Sequence, residues 1–313
     1  MTAPSSQLAT IAPTRTLVLC DPLPLRLSVW TAFAAILRYA LEQTAEPNTT
    51  RAVHEYRKSI RRARALLRVA RPSLDKQTWR ELDAILRDQV RRTSALRDTD
   101  VLSETLNRLP KALQEAHAEA FITAYERLTG ATQARGADDV HALLASTQPA
   151  LLLAVSLLGV ELPRGFDVEA FDQGLREAYR AAAKALDQAR DSRRADDVHT
   201  LRKRVKELRY QLEAVSAQHE DWTAEAERAR FASLAEALGQ ITDLHVLEAS
   251  IKALDPALPA QQAFIDALTA HTYALTDAAF VQAQAALEQH AHRWVKSLRS
   301  PPKAAQGDMA QDD

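Results

Sequence analysis

Two stretches of this chain carry the same polar pattern, a histidine followed by closely spaced cations. In VHEYRKSIRRARALLR these are His54, Arg57, Lys58, Arg61, Arg62, Arg64 and Arg68, and in VHTLRKRVKELRYQL they are His199, Arg202, Lys203, Lys206 and Arg209, with Tyr210 alongside. Guanidinium and ammonium groups donate charge-assisted hydrogen bonds to phosphate or carboxylate oxygens. A histidine that opens such a row adds a further donor once an anion favours its protonated form. The chemistry on offer is therefore anion binding. Between residues 51 and 71 eight Arg or Lys stand against one acid, Glu55. On a helical wheel His54, Arg57, Lys58, Arg61, Arg64 and Arg68 fall in a stripe about 120° wide, with Tyr56, Ile60, Ala63 and Leu67 opposite. Like charges three and four residues apart cost such a helix about 1–3 kcal/mol in sum. Acids on a neighbouring helix, such as Glu81, Asp83 or Asp88, are partial counterweights. The row from 54 to 68 spans about 21 Å, the reach of an extended polyanion rather than of one small phosphate.

Other chemistries find less support. No GxGxxG or GxxxxGK[ST] run occurs, so a nucleotide loop is not expected, and HxxxH and HExxH spacings are absent, so no metal site is expected. No nucleophile with a base and no cofactor signature is evident, which points away from an enzyme. Asp98 and Asp243 are predicted at helix starts, where a carboxylate caps free amides or orients an arginine. His290 and His292 are expected on the surface. Trp30, Trp79, Trp222 and Trp294 are scattered, without the interleaved cations that stack single-stranded bases.

The elements that must hold these residues are helices. Only seven glycines occur in 313 residues, and apolar residues recur at helical spacing nearly throughout. Helices are predicted at about 25–45, 51–71, 75–95, 98–108, 111–130, 138–159, 168–191, 196–218, 222–240, 243–254 and 258–298. LLLAVSLLGV at 151–160 covers about half a membrane span and is expected to be a buried core helix. Leu17, Val18 and Leu19 are too few for a signal core, and are expected to form a strand or loop before the first helix. The single cysteine, Cys20, fits a reducing, cytoplasmic setting.

An internal repeat organises the whole. A shift of 145 residues lays VHEYRKSIRRARALL over VHTLRKRVKELRYQL and, without a gap, carries Asp98 onto Asp243 and the helix at 25–45 onto that at 170–190. The expected fold is all-α: two pseudo-symmetric bundles of four-helix type around a central basic groove. The expected divisions are an N-terminal extension at 1–24, a first bundle at 25–130, a connecting helix and linker at 131–165, a second bundle at 166–299 and a disordered tail at 300–313.

The two histidine-led basic motifs, each followed by an Asp-containing segment (LRDTDVL and LGQITDLHVL), resemble the CHAD family, the conserved histidine α-helical domain, over roughly residues 25–300. That resemblance implies a pair of four-helix bundles that bind inorganic polyphosphate through the basic residues after each histidine. Position by position it implicates His54, Arg57, Arg61 and Arg64, then His199, Arg202, Lys203, Lys206, Arg209 and Tyr210. Ser94 departs from the family pattern where a glycine is frequent, and Lys58 and Ser59 stand where apolar or small residues are more usual. No ExExK strand marks an attached triphosphate-hydrolysing domain, so a stand-alone module is expected. The implied function is non-catalytic polyphosphate binding in the cytoplasm, storage granules included. A phosphate-transferring or hydrolysing enzyme, a nucleic-acid-binding scaffold and a docking face for an acidic protein remain alternatives.

Overall fold

The structure is a computed structural model that describes residues 11–19, 23–93, 98–130, 137–216 and 223–300. The predictions for Cys20, Trp222 and nearly all of the 300–313 tail fall outside the described residues. Every regular element described is helical, with no strand among the described residues. Residues 16–19 form a loop, through which Leu17 and Leu19 reach the core.

The first half contains α1 (Leu25–Glu42), α2 (Thr49–Ala70), α3 (Lys76–Arg92), α4 (Asp98–Asn107), α5 (Lys111–Ala116) and α6 (Ala118–Thr129). Next come α7 (Ala137–Ala145) and α8 (Gln148–Glu161), then α9 (Val168–Ser192), α10 (Ala195–Ser216), α11 (Thr223–Lys252), α12 (Gln261–Leu287) and α13 (Ala291–Ser297). Side-chain caps set several starts: Asn48 accepts from the Arg51 amide, Asp75 from Gln77 and Thr78, and Asp167 from Ala170. Arg193, left-handed at φ 51°, ends α9 and turns the chain into α10.

Helix α2 is the hub, packed by α1, α3, α7, α9 and α10. Its apolar side, Tyr56, Ile60, Ala63 and Leu67, is buried as the wheel predicts. Where α9 crosses it, a Cβ on Gly174 would sit 2.0 Å from the Val69 carbonyl oxygen, so only glycine lets the two backbones approach. The larger apolar core draws on both repeats, from Leu17 through Ile60 and Leu86 to Val205, Phe231 and Trp294. A smaller core joins α4 and α6 to the end of α11 and the start of α12, through Leu106, Ala124, Leu247 and Phe264.

Several helix boundaries differ from those predicted. The segments expected at 222–240 and 243–254 are one helix, α11, whereas their counterparts 145 residues earlier, α3 and α4, are separate. The repeat-related arginines differ in the same places. Arg57 Nη1 donates to the Val90 carbonyl at 2.8 Å and to Thr93 Oγ1 at 3.0 Å, closing the end of α3. Its counterpart Arg202 pairs with Asp243 instead, and α11 runs on. The apolar 151–160 stretch is buried on one face only: Leu151, Ala154, Val155 and Leu158 are inside, while Leu153 and Val160 are exposed. By length and composition 137–161 suffices to cross a membrane, yet the turn at 146–147 divides it, and about a third of its most apolar window is buried.

Candidate functional site

The C-terminal half of α2's cationic row and the N-terminal half of α10's row open onto one cleft of about 480 Å³. From α2 come Arg61, Arg64 and Arg68, and from α10 His199, Arg202, Lys203, Lys206 and Tyr210. The lining is completed by Arg87 and Val90 of α3, Val101 of α4, Glu207 and Asp243. Seven arginines and lysines thus share the lining with two carboxylates.

Internal ion pairs account for part of that charge. Arg64 donates to Asp83 on α3 at 2.8 Å, so one of the predicted counterweights does act. The Nε of Arg68 lies 3.0 Å from Glu207 but without hydrogen-bond alignment, and Glu207 also accepts from Arg204 at 2.9 Å. Burial draws Arg68 below the usual guanidinium range, Glu207 opposing and Arg204 adding to the effect. Asp243 sits 3.6 Å from Arg202, and Gly239, one turn earlier, leaves room for the Arg202 guanidinium, which a Cβ would meet at 3.3 Å. Three carboxylates, Asp83, Glu207 and Asp243, therefore face seven cations. The cleft keeps a positive excess.

His199 Nδ1 is buried without a hydrogen-bond partner among the described residues. Burial, then Lys203 and Arg202, with Asp196 opposing and Arg61 adding, pull the His199 imidazole down from 6.5 to about 4. It is neutral at neutral pH in the empty cleft. A negative ligand would reverse that field.

Other predicted site residues lie elsewhere, and three need correction. Arg57, 8 % exposed, is committed to the end of α3. Arg62, 3 % exposed, makes a two-pronged pair with Glu213 of α10 at 2.7 and 3.0 Å. Both are structural cations, because burial forces each to take its partners from within the fold. The expectation that Asp243 starts a helix also fails. It lies within α11 and faces Arg202, the arginine-orienting half of the prediction. Asp98 does begin α4, and its side chain lies outside the described residues.

His54 is exposed outside the cleft lining, so the two repeat-related histidines occupy different environments. Lys58, ion-paired to Glu55 at 3.7 Å, is held low by burial and by Arg62. Arg209 and Arg62 place their guanidinium carbons 5.5 and 5.2 Å from the Tyr210 ring centre, sandwiching the tyrosine at the cleft's edge. His290 precedes α13 and His292 lies on it, both exposed. Sequence reasoning missed Arg87. The signal was available, because Arg80, Arg87 and Arg91 recur seven and four residues apart along α3.

An all-α chain with a basic cleft between two repeated histidine-led helices is the class that fold and site define. The family model for the CHAD domain matches residues 28–224, well over half of the chain, and the protein belongs to that family. The match takes in α1 to α10 apart from the first residues of α1, and so both basic helices. No curated protein matches the chain.

Proposed function

We propose that this protein binds inorganic polyphosphate without turning it over, holding the chain across the cleft between α2, α3 and α10. The observation that carries the reading is the excess of seven lining cations over two lining carboxylates, in a molecule whose formal net charge is −1. Positive charge is focused there rather than spread as on a protein that coats nucleic acid at large. Glu207 and Asp243, the acids nearest a bound chain, each already face an arginine, which suits counter-charges better than general bases. Membership of the CHAD family supports the ligand, and the single cysteine supports a reducing, cytoplasmic setting, storage granules included.

The test is retention on immobilised polyphosphate. Replacing Arg61→Glu and Lys206→Glu together should abolish retention while helical circular dichroism stays unchanged, and wild-type retention should fall steeply with salt as counterions are released. Retention by the folded double variant would refute the cleft as the site. Shortening of labelled polyphosphate in magnesium would show an enzyme, and equal competition by nucleic acid of the same charge would remove the preference for polyphosphate.

A further inference from the structure

Helix α3 carries a cationic row of its own. Arg80, Arg87 and Arg91 fall within about 40° of one another on the helix, all three are exposed, and none meets a carboxylate among the described residues. The acids of α3 lie off this row: Asp83 turns to Arg64, Glu81 accepts from Gln77 at 2.9 Å, and Asp88 is exposed on another side of the helix. Only Arg87 lines the cleft.

The other two lie beyond its ends. Helices α2 and α3 meet in antiparallel order, Arg57 bonding at Val90 and Thr93 and Arg64 at Asp83. Arg91 therefore sits toward the Arg57 end of the cleft and Arg80 toward the Arg68 end. The α3 row is about 16 Å long, whereas the part of α2 lining the cleft, Arg61 to Arg68, is about 10 Å long. An ordinary solvated face would alternate signs at helical spacing. This one instead places Lys76 before Arg80 and Arg87 before Arg91, each pair four residues apart.

We propose that Arg80 and Arg91 extend the binding lane past both ends of the cleft, so that the site selects long anionic polymers over compact polyphosphates. The inference rests on the polyphosphate reading and adds a length requirement to it. A short chain fills the cleft and touches Arg87 alone on this helix; a long one leaves the cleft along α3 and gains both outer arginines.

The experiment compares tripolyphosphate with long-chain polyphosphate on wild-type protein and on the Arg80→Gln/Arg91→Gln variant. A matched control, Arg164→Gln/Arg180→Gln, removes the same charge at exposed positions outside the cleft lining. The expected result is about a tenfold loss of affinity for the long chain and a salt slope lower by about 1.5, with tripolyphosphate binding and the control unchanged. Unchanged long-chain affinity overturns the lane, as does an equal loss for both ligands or in the control, which would reveal only a change of overall field. Wild-type protein that binds neither ligand sinks the polyphosphate reading itself, and this inference with it.

Discussion

His199 converts ligand charge into a proton. In the empty cleft its imidazole is depressed to about 4, with Arg202, Lys203 and Asp196 on its own helix, Arg61 across on α2, Arg87 on α3 and Asp243 on α11 setting the field. A bound polyanion favours the protonated ring, so binding between pH 4 and 6.5 should take up a proton and affinity should rise as pH falls. Calorimetry at pH 6 in buffers of different ionisation enthalpy reads that uptake, which His199→Gln should remove; no buffer dependence in the wild type would exclude the coupling. The same depression acts on stability with the opposite consequence. The unfolded chain binds the proton more readily, so this contribution is complete above pH 6.5 and is lost as pH falls towards 4. The stripe that contains Arg61, Arg64 and Arg68 was legible in the sequence. Its division was not, because a wheel shows which residues share a face and not where along that face a neighbouring helix closes over it. Arg57 and His54 share a stripe in sequence, yet one is closed in by α3 and the other is exposed.

Between elements, the seam that joins α2 to α10 is polar. Arg62 pairs with Glu213, the Gln211 side chain donates to the Ala65 carbonyl at 3.0 Å, and Arg68 faces Glu207, in antiparallel order along the two helices. The partners are about 140 to 150 residues apart, so no local pattern announces them. The helices themselves were readable from apolar spacing and proline placement, whereas the fusion of the 222–240 and 243–254 segments depends on where Arg202 points. The Arg62–Glu213 pair supplies an element-scale prediction. Glu213→Leu alone leaves a buried guanidinium without its carboxylate and should cost about 3–5 kcal/mol in urea unfolding. Arg62→Met added to it should recover most of that loss, because an apolar pair of similar volume fits the same seam. The double variant should still be retained on polyphosphate, since Arg62 acts within the fold; a folded double variant that lost retention would return Arg62 to the binding residues.

For the molecule as a whole, the 145-residue repeat foretold which helices would correspond, but not that one large core would take side chains from both copies. Nor did it show that α4 and α6 of the first copy would pack on α11 and α12 of the second. Those contacts are made across the repeat boundary, where sequence similarity within each copy carries no information. They also mean that strain at the cleft is borne by the molecule's main core, since α2, α3 and α10 all contribute to it. The positive excess along the lining repels itself in the absence of ligand, so added salt should raise the melting temperature of the ligand-free protein by screening it. Polyphosphate at a hundred times its dissociation constant should raise the melting temperature at low salt by about 5–10 °C. The same added salt should then shrink that increment, because counterion release drives the binding. Salt thus acts in opposite directions on the empty and the occupied protein. Thermal unfolding across a salt series, with and without polyphosphate, separates this from a generally salt-stabilised fold, in which both curves would rise together and the ligand increment would persist.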